Sequence, residues 1–133
     1  MIARMEHPNA ALYRRTAQAF RDGDMETLRA LIAADIVWHV PGANRMAGEV
    51  RGREALFDWF RRLRDVTGGT FTLEEHDVLG GAEHVIALSL MGAVRDGITV
   101  SVPVISVFHY REGRQYERWF HPVDTAAWDR MFA

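Results

Sequence analysis

Ile36-Val37-Trp38-His39-Val40-Pro41-Gly42, followed across a polar loop by Arg51-Gly52-Arg53-Glu54-Ala55, is the stretch whose reading decides the fold. Ile36 to Val40 is β-branched and aromatic, which suits a short strand, and Pro41-Gly42 stops it. The segment from Ala43 to Val50 is small and polar, able to form a rim or lid. A helix then begins near Gly52, with Leu56, Trp59, Phe60 and Leu63 at i, i+3, i+4 and i+7. The stretch thus ends a strand on an imidazole, turns, and enters an amphipathic helix.

Upstream, Pro8 suits a first helical position, and Leu12, Tyr13, Thr16, Ala17 and Phe20 keep helical spacing until Asp22-Gly23. Asp24 predicts an N-cap for a second helix with Met25, Leu28, Leu31 and Ile32 as its stripe. Downstream, the pattern changes to strands: Thr70 to Leu79, His84 to Arg95, Ile98 to Tyr110 and Gln115 to His121. Asp96-Gly97 and Glu112-Gly113 predict tight hairpin turns. Pro103 implies an edge, bulge or bend within its strand. Pro122 closes the last strand, and Asp124 can cap a short helix holding Trp128 and Phe132. Helices segregated from a four-stranded antiparallel meander point to an α+β fold, a curved antiparallel sheet wrapped around helices with an internal pocket.

Two-residue turns allow the pairing to be counted. Val104 then opposes His121, Ser106 opposes Trp119, and Phe108 opposes Glu117, with Ala87 and Ser89 across from Ser106 and Val104. That count gathers Glu117, His121, Ser106 and Trp119 on one face, able to line a pocket. The other face carries Ile86, Leu88, Leu90, Ile105, Val107 and Phe120, with His109 and Arg118 toward its ends. A one-residue register slip would exchange the two faces.

The chain has 133 residues, 48% apolar and 26% charged, which fits a single domain over 1–133 with a real core. A net charge of -2 argues against nucleic acid as a partner. Arg51, Arg53, Arg61, Arg62 and Arg64 are interleaved with acids and read as a solvated face. The absence of cysteine excludes disulfides, zinc-thiolate sites and thiol nucleophiles. No apolar run is long enough for a bilayer, and the opening Met1 to Pro8 lacks a secretion signal, so no membrane partner and a cytoplasmic location are expected. His39, His109 and His121 lack the close spacing of metal ligands, and no phosphate-binding loop is present. No metal and no cofactor are therefore expected.

Ala19-Phe20-Arg21-Asp22-Gly23-Asp24-Met25, Leu31 through Gly42, Gly48 through Ala55, and Phe108-His109 with Gly113-Arg114 and Glu117-Arg118-Trp119 together resemble one family over nearly the whole chain. It is the nuclear transport factor 2-like, or cystatin-like cone, superfamily, and within it the SnoaL-like polyketide cyclase and ketosteroid isomerase group. The resemblance implies a cone around a pocket. His39 stands near the isomerases' general-base aspartate, without the carboxylate. Their oxyanion tyrosine falls near Thr16, one turn from Tyr13. His121 and Asp124 resemble in place the cyclases' late acid/base pair.

The residues and the resemblance together make His39, His121, Asp124 and Glu117 candidate acid/base groups. Three of them also have a plain structural reading: a strand-end imidazole for His39, a helix cap for Asp124, a cross-strand partner for Glu117. Tyr13, Trp38, Phe57, Phe60, Ser106 and Trp119 are candidate pocket walls, or simply core. The expected function is cofactor-free acid/base chemistry of isomerase, cyclase or hydratase/hydrolase type on a small apolar molecule. The rivals are a ligand-binding domain without turnover and a dimeric assembly module, and a homodimer through the sheet is expected under each.

Overall fold

A computed structural model describes residues 5–133. Met1 to Arg4, part of the stretch judged for a secretion signal, lie outside the described residues. The elements run α1 Pro8–Asp22, α2 Met25–Leu31, β1 Ile32–Val40, β2 Gly48–Arg51, α3 Arg53–Thr67, β3 Thr72–Gly80, β4 His84–Arg95, β5 Ile98–Arg111, β6 Arg114–Pro122 and α4 Thr125–Met131. The strands form one curved, unclosed sheet in the order β2-β1-β6-β5-β4-β3, with the helices on its concave side. All neighbours are antiparallel except β1 and β6, which are parallel. Among the described residues no helix is long and apolar enough to cross a membrane.

Local chemistry sets the helix ends. Gly23 takes φ 68°, and the Asp24 N–H returns to the Ala19 carbonyl at 2.9 Å, closing α1. Asp24 caps α2 by accepting the Thr27 N–H at 3.1 Å. Ile32, expected in the stripe of α2, instead caps that helix in extended geometry and begins β1. At Gly80 a Cβ would stand 2.7 Å from the Cβ of Ala10, so the glycine lets α1 lie directly on β3.

The loop expected over Ala43 to Val50 is neither loose nor a lid. Its second half is the edge strand β2, paired Val40↔Gly48 to Val37↔Arg51. Its first half is tied to α4: Asp129 accepts the Ala43 N–H at 2.9 Å and the Asn44 amide at 2.8 Å. Met46 is 1% exposed, and its carbonyl accepts the Trp59 indole N–H at 3.0 Å. A buried methionine and two anchors explain why a polar stretch is ordered.

Both hairpin turns have the two-residue form, with φ of 51° and 76° at Asp96-Gly97 and 53° and 75° at Glu112-Gly113. The β4–β5 register follows the count, Ala87↔Ser106 and Ser89↔Val104. The β5–β6 register does not. Tyr110 pairs Gln115, but His109 pairs Glu117, so Tyr116 is an extra residue in a β-bulge. Beyond it Ser106 opposes Phe120, Val107 opposes Trp119, and Ile105 opposes His121. The faces of β6 are therefore exchanged beyond the bulge: Arg118 and Phe120 turn inward, and Glu117, Trp119 and His121 turn outward. The β4–β5 register runs unbroken through Pro103, so the proline marks no bulge in that pairing. Its carbonyl accepts the Val123 N–H at 3.0 Å, so its nitrogen faces the end of β6, where no ladder bond is lost.

Candidate functional site

The cone encloses a small cavity of about 50 Å³ between α1, α3, α4 and the concave face. Its walls are mainly aromatic, with Phe20, Trp38, Trp59, Phe60, Phe71, Phe120, Trp128 and Phe132 among them. Helical spacing delivers Tyr13, Thr16, Ala17 and Phe20 from α1, and Trp59, Phe60 and Leu63 from α3. Trp38 meets Trp59, Phe60 and Phe120 edge to face with centroids 5.6, 5.6 and 5.3 Å away. Its indole N–H donates to Gln115 Oε1 at 3.3 Å.

Tyr13, Thr16, Gln115 and Arg118 bring polar atoms into this apolar lining, and Glu75 stands behind Tyr13. The Tyr13 hydroxyl donates to Glu75 Oε1 at 2.6 Å, and the Ser89 hydroxyl donates to Glu75 Oε2 at 2.7 Å. Glu75 and Ser89 are cross-strand partners on the inner face, so the register itself creates the second bond. Arg118, 6% exposed, also lines the cavity, and its Nη2 donates to Ser106 Oγ at 2.9 Å. Its guanidinium lies 3.9 Å from the Phe120 ring centroid, 4.5 Å from Trp38 and 4.6 Å from Phe108. Arg118 Nε has no partner, and among the described residues no carboxylate is in ion-pair contact with this side chain.

Burial sets the electrostatics. It pulls the Arg118 guanidinium down to about 10, an effect opposed by Tyr13, Glu75 and Tyr110, so the group stays cationic at neutral pH. Burial also pushes the Tyr13 phenol far above its ordinary range, opposed by Arg118 and reinforced by Glu75. Tyr13 is thus a committed donor to Glu75. Its oxygen keeps a lone pair for a molecule in the cavity.

The sequence candidates divide between the two sides of the sheet. Tyr13, Trp38 and Phe60 line the cavity. Ser106 is fully buried on the inner face and holds Arg118. Phe57 is buried one layer out, under the Arg29 guanidinium at 4.9 Å. The structure does not bring His39, Glu117, Trp119 or His121 to the cavity. His39 stacks on Trp119 with centroids 5.1 Å apart on the outer face, and its Nε2 lies 2.7 Å from Glu117 Oε2. Glu49 sits 3.3 Å from the other imidazole nitrogen, and His109 lies 3.4 Å from Glu117 Oε1. His121 is exposed, and Asp124 is the N-cap of α4, accepting the Ala127 N–H at 3.0 Å. The bulge at Tyr116 accounts for Glu117, Trp119 and His121. Strand parity accounts for His39, because Trp38 next to it points inward.

Two charged groups on the inner face, Glu75 and Arg118, and the buried Gln115 were not among the sequence candidates. Glu75 carried a usable signal: it shares strand parity with the apolar Leu73, and an acid at a core-facing parity is unusual. Arg118 carried none, because its face depends on the bulge.

The SnoaL-like domain family matches residues 13–118 of this chain. An uncharacterized protein of Mycobacterium tuberculosis is 34% identical over 87 residues, covering 65% of this chain and 66% of that protein. Among solved structures, Bal32a, from a soil-derived mobile gene cassette, is 38% identical with a TM-score of 0.89, covering 95% of this chain and 97% of Bal32a. A Xanthomonas campestris protein of unknown function with a cystatin-like fold superposes at TM-score 0.87 with 21% identity, over 97% of this chain and 99% of its own. IdmH, a candidate polyketide cyclase from Streptomyces antibioticus, does so at 0.71 with 22% identity, over 88% and 93%. With the family match covering most of the strands and helices that build the cavity, the chain belongs to the SnoaL-like domain family, on a nuclear transport factor 2-like, cystatin-like fold.

Proposed function

We propose that the interior of the cone binds a small, largely apolar carbonyl compound and moves a proton on it without a cofactor, as an isomerase or cyclase does. The observation that carries this reading is a cavity whose wall holds both Tyr13, hydrogen-bonded to Glu75, and a buried Arg118 with an unpartnered Nε and no carboxylate in ion-pair contact. An acid–base group and a fixed positive charge in a dry aromatic pocket are the two parts enolisation requires. In this reading Tyr13 accepts the substrate's C–H proton as it passes its own to Glu75 Oε1. The electron pair left behind moves onto the carbonyl oxygen. Arg118 stabilises that enolate, and the proton returns at the same or another carbon, or the enolate attacks a second carbonyl. The likeness of the fold to a candidate polyketide cyclase accords with the second outcome.

The test is hydrogen–deuterium exchange at the α-carbon of cyclic and aromatic ketones, followed by proton NMR. The protein should accelerate exchange over buffer, and Glu75→Gln should slow it at least about a hundredfold, the usual size of a general base's contribution. Binding of these ketones with no exchange above buffer would favour a ligand-binding role on the same scaffold.

The outer face supports a further part of this reading, a homodimer. Leu90 is 38% exposed and Ile105 40%, beside the half-buried Trp119, an apolar strip that a second copy would cover. Light scattering at micromolar concentration should give twice the monomer mass, and a monomer would remove the proposal.

A further inference from the structure

The cavity is too small for the molecules its walls suit. Pockets for organic ligands usually occupy a few hundred Å³, whereas this interior holds about 50 Å³. A much larger groove of about 740 Å³ lies directly outside it, between the end of α1, α3 and the start of β3. Phe20, Leu28, Phe60, Leu63, Phe71 and Leu73 border both spaces. Only one layer of side chains therefore separates groove from cavity. At its centre Phe20 meets Phe60 and Phe71 edge to face, with centroids 5.1 and 6.1 Å away. Phe20 and Phe60 are only partly buried, which sets them at the rim between the two spaces.

The groove also differs from the cavity in charge. Arg21, Arg61 and Arg64 line it, against one acid, Asp22. Asp22 already accepts the Gln18 amide at 2.9 Å, and Arg61 is paired with the exposed Asp58 just outside. The net charge of the whole chain is -2, so a cationic groove is a local property, not a reflection of overall balance.

We infer that groove and cavity form one two-compartment site for an amphipathic organic anion. Its apolar body passes the Phe20–Phe60–Phe71 partition toward Arg118 and Tyr13, and its carboxylate, sulfonate or phosphate stays at Arg21, Arg61 and Arg64. This names the substrate class of the same site and rests on the proposed role of the interior. Arg118 then meets the developing charge of the reacting carbonyl, while the groove arginines hold the permanent charge.

The experiment is displacement of a bound fluorescent naphthylamine, N-phenyl-1-naphthylamine, by decanoate and by 1-decanol, matched in chain length and different in charge. Decanoate should bind about tenfold tighter at low salt, and the preference should shrink severalfold by ~0.5 M salt, as expected for exposed charges. Arg61→Gln/Arg64→Gln should remove the preference and leave decanol affinity unchanged. Phe60→Ala should speed the association of both ligands. Equal binding of the two by the wild type would overturn the inference. So would loss of the preference in Arg118→Met with the groove variant unaffected, since the anion would then sit at the inner end. Because the readout is binding, these results stand apart from the ketone-exchange test. Anion selectivity without exchange would sink the catalytic reading alone.

Discussion

The hydroxyl of Tyr13 lies 2.6 Å from Glu75 Oε1, joining the first helix to the third strand across the wall of the cavity. The two residues are far apart in sequence, and α1 and β3 approach closely at Gly80, where a Cβ would stand 2.7 Å from the Cβ of Ala10.

Tyr13→Phe keeps the ring, which packs on Phe108 with centroids 4.6 Å apart, and removes the relay to Glu75. Exchange at a ketone α-carbon should fall about 10- to 100-fold, with ketone affinity within about threefold of wild type. An unchanged rate, read by proton NMR, would mean that Glu75 acts without Tyr13.

Arg118→Met should separate stability from function. A buried cation with an unpartnered Nε costs desolvation that a methionine of similar length avoids. The variant should unfold at the same or higher denaturant concentration, by up to about 2 kcal/mol, while losing exchange activity. A large loss of stability would show that the rings of Trp38, Phe108 and Phe120 and the Ser106 bond more than repay that desolvation.

His39→Ala and Glu117→Gln should leave exchange rates within about twofold of wild type, because the 2.7 Å pair stands on the outer face. Each should cost about 1 kcal/mol in chemical denaturation, the scale of a half-exposed pair. A hundredfold loss of activity in either would falsify the assignment of the site to the interior.

High pH should destabilise the fold in a defined direction. Burial raises the phenols of both Tyr13 and Tyr110, so the folded chain keeps two protons that an unfolded chain releases above about pH 10. Arg118 works the other way, because its folded value near 10 lies below the unfolded one and the folded state sheds a proton earlier. Two protons retained against one released leaves the folded state with about one extra, so stability falls as pH rises past about 10. Tyr13→Phe should flatten that fall, measured as denaturation midpoints between pH 9 and 11. A midpoint that rose across this range would contradict the burial of the two phenols.

Much of the architecture was legible because it rests on local chemistry. Gly23, Asp24 and Asp124 mark helix ends through capping, and Asp96-Gly97 and Glu112-Gly113 mark turns through positive φ, each within a few residues of sequence. The aromatic spacing of α3 placed Trp59 and Phe60 on the inner side. Edge strand β2 was not legible, since Gly48 to Arg51 is short and polar and is a strand only because β1 offers it an edge.

The sequence by itself determined the segregation of helices from strands, the two hairpins, the aromatic core and the lack of any thiol chemistry. Tertiary structure alone decided which acid and which cation look inward. Side chains alternate along a strand, so the one extra residue at Tyr116 turns Arg118 in and Glu117 out, and no local signal marks that residue. Glu75 is likewise chosen by a neighbour, Ser89, and a helix, α1, that reach it only when the chain has folded.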